Sequence, residues 1–168
     1  MTPLVLEIWS GGQAGVDRAA FDVALELGLP IAGWIPRGRA AEDGRVPERY
    51  RGLREAESPE YGVRTHRNVQ DTDATLVLSW GTPSGGTKHT VVIAQRLGRP
   101  LLEIDLSALE PSQAAAGATS WLAGLVPPVG RPLRLNVAGP RASQAAEAYL
   151  HAQSLLRTVL GDGMPDPQ

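Results

Sequence analysis

The chain has 168 residues, 42% of them hydrophobic, and a formal net charge of −2. That balance suits one compact domain with a real core and excludes a general nucleic-acid or membrane-surface binder. It holds no cysteine, which excludes disulfides, zinc–thiolate centres and thiol nucleophiles.

The first predicted strand, from Leu4 to Trp9, runs into Ser10-Gly11-Gly12-Gln13-Ala14-Gly15-Val16-Asp17-Arg18. Val16, Ala20, Val23, Ala24 and Leu27 then recur at helical spacing. A helix N-terminus presents unpaired backbone N–H groups and a partial positive charge. Glycines beside it let an anion approach the backbone closely. Taken alone, the stretch reads equally well as a tight strand-to-helix turn without a ligand. Leu27-Gly28-Leu29-Pro30 ends that helix, and Ile31 to Ile35 form a short second strand closed by Pro36.

Residues 36–60 are rich in Arg, Glu, Gly and Pro without a clean period. A loop of that length is functional or disordered. Tyr61 to Asp71 suit a short helix. Ala74 to Ser79 form the third strand, a continuous apolar run of the kind buried on both faces. It meets Trp80-Gly81-Thr82-Pro83-Ser84-Gly85-Gly86-Thr87, after which Val91, Val92, Ala94 and Leu97 mark a helix that stops at Gly98 and Pro100. Leu101 to Ile104 are a fourth strand. Ser107 and Glu110 have capping-box spacing before Pro111, which opens a helix running to about Gly124. Leu133 to Ala138 are the fifth strand. Gly139-Pro140-Arg141-Ala142-Ser143 open the last helix, with Ala146, Tyr149, Leu150, Gln153, Leu156 and Leu160 facing inward. Residues 1–160 form a single domain on this reading, and Gly161 to Gln168 a flexible tail.

Strands alternating with helices predict an open parallel α/β sheet of about five strands, covered by helices on both faces. Ligands of such sheets sit beyond the C-terminal strand ends where the strand order reverses. An order of 2-1-3-4-5 sets Gly11-Gly12 against Gly85-Gly86 across one crevice, with Gly139 in a third polar turn.

Familiar fingerprints do not account for these glycines. The dinucleotide motif needs G-x-G-x-x-G and an acid ending the second strand, but that strand ends Ile35-Pro36-Arg37. The P-loop needs lysine directly after its last glycine, and Thr87 separates Gly86 from Lys88. His66, His89 and His151 are scattered singly, so no metal site is expected. Arg37 and Arg39 follow the second strand on the crevice side, where guanidinium forks could clamp a phosphate. Arg45, Arg64 and Arg67 have the same capacity, but Glu42, Asp43, Glu48 and Glu60 are interleaved, so a solvated charged face is the commoner explanation and Arg37 and Arg39 the better candidates. The candidate binding residues are therefore Gly11, Gly12, Gln13, Ser79, Gly85, Gly86 and Thr87 at the anion end, with Arg37 and Arg39 closing over it. Asn136 and Ser143 join from the outer turn. An enzyme acting on a nucleotide, with Asp17, Asp43 or Asp73 as acid or base, is the alternative; a nucleotide sensor is a third.

Several blocks taken together resemble the molybdenum-cofactor carrier family. They are Ser10 to Ala20, Gly33 to Arg39 with Glu42-Asp43-Gly44, Arg64-Thr65 with Asn68-Val69 and Asp73, Leu76 to Ser79 with Gly85-Gly86-Thr87, and Asn136 to Arg141 with Ser143. The similarity runs from Ile8 to about Leu160. It implies a Rossmann-like fold, within a group that includes the lysine-decarboxylase-like phosphoribohydrolases. It also implies a cytoplasmic homo-oligomer, a dimer or tetramer, that shelters molybdenum cofactor or a related phosphorylated pterin or nucleotide, with neither nucleic acid nor membrane as partner. Ala14 stands where that family has threonine, and Lys88-His89 replace an apolar pair. Lys88-His89-Thr90-Val91 also lack the glutamate that the phosphoribohydrolases carry after their glycine-threonine turn.

Overall fold

The computed structural model describes residues 4–161. Their elements, in chain order, are β1 (Leu6–Trp9), α1 (Val16–Glu26), β2 (Ile31–Ile35), β3 (Ala40–Ala41), β4 (Gly44–Arg45), β5 (Leu53–Glu55) and α2 (Tyr61–Gln70). There follow β6 (Ala74–Ser79), α3 (Gly85–Arg96), β7 (Leu101–Asp105), α4 (Pro111–Ala123), β8 (Leu133–Ala138) and α5 (Ala148–Gly161). Of the expected tail only Gly161 is described, and it ends α5; the rest lies outside the described residues.

The main sheet is Rossmann-like and parallel, as expected, but its six strands run β5-β2-β1-β8-β6-β7. The predicted order 2-1-3-4-5 is therefore corrected. The fifth predicted strand, β8, lies between the first and third, pairing Ile8 with Leu135 on one side and Leu76 with Val137 on the other. Burial explains the placement. Leu133, Leu135 and Val137 join the core beneath α1, α4 and α5, while Asn136 and Ala138 are covered on the opposite face. Such a strand is wasted at an edge. The edges are β5 and β7, and the exposed Glu103 of β7 tolerates water and discourages pairing with another chain.

Helices α1, α4 and α5 pack together on one face, and α2 with α3 on the other. β6 is buried at every position, so its apolar run follows from being central and covered twice. The region 36–60 holds the sixth sheet strand, β5, and the antiparallel β3–β4 hairpin. Both are too short to show a period. The last helix begins at Ala148 rather than near Ser143, because residues 141–145 turn on themselves first. Its buried face is consequently Ala152, Leu155, Leu156, Val159 and Leu160, and Leu150 is exposed. α4 is capped by Glu110 with Gln113, while Ser107 bonds back to Asp105.

The long loop is pinned to the domain by Tyr50, which is fully buried against Phe21. Its hydroxyl donates to Asp22 Oδ1 of α1 at 2.7 Å, and the Tyr149 hydroxyl of α5 donates to the other carboxylate oxygen. Burial, reinforced by Asp22, pushes both phenols up, Tyr149 to about 12. Tyr50→Phe should cost about 1 kcal/mol, the net value of one hydrogen bond. Thermal melts should fall by roughly 2–4 °C.

Candidate functional site

β1 and β8 hand over to helices on one face of the sheet, and β6 to a helix on the other. The chain thus reverses between β8 and β6, and the crevice beyond their C-terminal ends is where such sheets bind ligands. A cavity of about 70 Å³ lies there, lined by Asp17, Tyr61, Arg64, Gly86, Thr87 and Arg141 among others. A second cleft, of about 90 Å³, shares Thr87 and Gln144 with it and runs past Ser79, Trp80 and Ser84 to Ala145.

The N-terminus of α1 contributes little free polarity to this space. Val16 N–H donates to the Pro140 carbonyl (3.4 Å) and Gln13 N–H to Asp17 Oδ2 (3.2 Å). Gly15 holds the close approach of the two loops with φ 114°, and a Cβ there would lie 2.6 Å from Pro140 O. A Cβ on Gly11 would overlap the Arg64 guanidinium, so the first glycine pair makes room for an arginine rather than presenting an open cradle. α3 differs. Ser84 gives no side-chain cap to it, Gly86 and Thr87 face the cavity, and a Cβ at Gly86 would meet nothing within 4 Å. The open helix N-terminus of the crevice is therefore that of α3.

Opposite α3 stands a buried ion pair. Arg64 Nη1 lies 3.6 Å from Asp17 Oδ2, with side chains 13% and 6% exposed. Burial pushes the Asp17 carboxyl above its usual range, against the pull of Arg64 and the Gln13 N–H. Burial likewise draws Arg64 down, against Asp17, and nearby Arg141 adds to the effect. Arg64 Nε is buried without a hydrogen-bond partner among the described residues. Tyr61 lies between the two guanidiniums, with Arg64 5.9 Å and Arg141 5.1 Å from its ring centre. Two cations, one incompletely paired, thus face an uncapped helix N-terminus across a small cavity. Such an arrangement suits an anion chemically.

The β3–β4 hairpin crosses the same end of the molecule. At its tip, Asp43 makes a bidentate pair with Arg18, which also donates to the Gly12 carbonyl (3.0 Å). Glu42 accepts from the N–H (3.1 Å) and hydroxyl of Ser143, with Arg141 4.0 Å away. Gln13 Nε2 donates to the Ala40 carbonyl (3.0 Å), and Gln13 Oε1 is buried without a partner among the described residues.

Of the residues expected from sequence, Gly86 and Thr87 line the cavity, Ser79 lines the adjoining cleft, and Gly85 lies beside Gln144. Gly11, Gly12 and Gln13 sit beneath Arg64 and the hairpin. Asn136 is buried in the central strand, donating to the Thr75 hydroxyl (3.4 Å), so it is not in an outer turn. Arg37 is exposed, and Arg39 spends its guanidinium on the carbonyls of Val46, Pro47 and Tyr50; neither lines the cavity. The acids of the enzyme alternative are not brought together. Asp17 is in the cavity and Asp43 at the hairpin tip, while Asp73 pairs with Arg131 at the other end of the sheet.

Tyr61, Arg64 and Arg141 were not among the expected site residues. A signal for Arg64 exists in the sequence. Tyr61, Arg64, Thr65 and Asn68 share one face of α2, and Thr65 and Asn68 are buried. A helix whose inner face is polar must be facing something polar.

The sequence model of the circularly permutated YpsA SLOG family matches residues 8–160. A crystal structure at 1.45 Å of a protein described as "Putative molybdenum carrier protein", from Syntrophus aciditrophicus SB, superposes with a TM-score of 0.87. It is 41% identical, and the match covers 95% of this chain and 98% of that one. No curated protein matches significantly. In the doubly wound order β8 takes the place of the strand that begins the second half, although it comes last in this chain. The chain belongs to the circularly permutated YpsA SLOG family.

Proposed function

We propose that the protein is a binding and carrier protein for molybdenum cofactor or a closely related phosphorylated pterin or nucleotide. The observation that carries this reading is the buried Arg64 guanidinium, its Nε unpartnered, facing the uncapped N-terminus of α3. A phosphate supplies the acceptors those donors lack, and Arg141 adds a second cation at the rim. Gly86 and Thr87 would bind it through the backbone, as helix N-termini bind phosphates generally. The name of the 41% identical neighbour supports a molybdenum-containing cargo, and the family resemblance supports a cytoplasmic homo-oligomer. Among the described residues no helix is long and apolar enough to cross a membrane.

The test is a calorimetric titration with guanosine 5′-monophosphate and with guanosine, whose ring carries the same amino-oxo-pyrimidine edge as a pterin. The monophosphate should bind at least tenfold more tightly, since one charge-assisted hydrogen bond is worth about 1.5–3 kcal/mol. Equal affinities would remove the phosphate from the reading. Release of free guanine in the same mixtures at enzymatic rates, on the order of 10 per second, would favour catalysis over carriage. Native mass spectrometry of freshly purified protein would identify the cargo directly.

A further inference from the structure

The cavity around Arg64 accommodates little more than an anionic group, and the adjoining cleft is chemically different. It is lined by Trp80 together with Ser79, Thr82, Ser84 and Gln144. We propose that this cleft is the ring subsite, where a planar heterocycle stacks on Trp80 while its phosphate lies at Arg64 across the α3 N-terminus. The inference rests on the phosphate reading above and extends it to the ligand's other end.

Trp80 is held as a platform should be. It follows β6 directly, and the turn after it is pinned by Gly81 N–H donating to Asp105 Oδ1 at 2.8 Å. The indole Nε1–H donates to His151 Nδ1 at 3.2 Å, and the His151 ring lies beside it, 6.0 Å between centres and 24° from parallel. This contact limits rotation of the indole and so lowers the entropy lost on stacking a ligand. Thr87 and Gln144 line both spaces, so the two adjoin. Hydroxyl and amide groups that both donate and accept suit the edge of a pterin or purine ring. The cleft carries no cation of its own, which argues against a second phosphate there.

The experiment compares guanosine 5′-monophosphate with ribose 5-phosphate, which carries the phosphomonoester without the ring, on the full chain and its Trp80→Ala and Trp80→Phe variants. The parent should favour the nucleotide by tenfold or more, the usual worth of base–aromatic stacking. Trp80→Ala should bring the nucleotide down to the ribose 5-phosphate level while ribose 5-phosphate binding stays within a factor of two or three. Trp80→Phe should restore most of the preference. An unchanged preference in Trp80→Ala, or no preference in the parent, overturns the ring subsite. Failure of both compounds to bind the parent is a different result: it removes the phosphate site itself, and the ring subsite with it.

Discussion

Gly86→Asp should lower affinity for guanosine 5′-monophosphate by about a thousandfold and leave the fold intact. Gly86 lines the cavity opposite Arg64, at the second position of α3. An aspartate there places a carboxylate beside the bound phosphate. Two unit charges about 4 Å apart at an effective dielectric of about 20 repel by roughly 4 kcal/mol, which is the stated loss of affinity. The backbone asks nothing special of this residue. Its φ is not positive and a Cβ meets open space. A carboxylate in the first turn of a helix is favoured by up to about 1 kcal/mol, so the melting temperature should hold or rise. Gly86→Ala supplies the control without charge and should bind nearly as the parent does. Tight nucleotide binding by Gly86→Asp would place the phosphate elsewhere.

Arg64→Met should weaken nucleotide binding by between about tenfold and a hundredfold, the worth of one charge-assisted hydrogen bond. Its effect on stability should depend on pH. Methionine keeps the length and packing of the side chain but leaves Asp17 without its guanidinium, the largest influence holding that carboxyl down. The folded-state value of Asp17, already above 3.8 through burial, must then rise further. A carboxyl whose folded value exceeds its unfolded one contributes stability that is fully present below the unfolded value. That contribution is lost as pH climbs through the folded one. Denaturant melts near pH 3.5 should therefore find the variant nearest to the parent, since Asp17 is then protonated and removing Arg64 leaves no unpaired charge behind. Melts near pH 7.5 should find it weaker. A variant equally stable relative to the parent at both values would mean that Asp17 stays ionised without Arg64, through donors other than those seen here.

The residues by themselves determined the local grammar of this protein. Each strand that ends at glycine, and each helix that ends at Gly-x-Pro, follows from backbone preferences acting over a few positions. Hence β1, β2, β6, β7 and β8 fall where periodicity puts them, and Gly86-Thr87 were legible as a helix-start turn. The family was legible too, because its blocks are spread over nearly the whole chain. Tertiary structure alone decided the slot of β8. Its pattern of apolar residues records burial on two faces but not which neighbours provide it, and pairing with both β1 and β6 is a long-range matter. That one placement moved the crevice from between the first and third strands to between β8 and β6. It also set the 140–142 loop against α1, spending the donors of the first glycine turn and leaving those of α3 free. Arg64 shows the same limit at a single residue. Among interleaved charges it reads as a surface arginine, and only the packing of α2 over Gly11 makes it a buried cation beside Asp17.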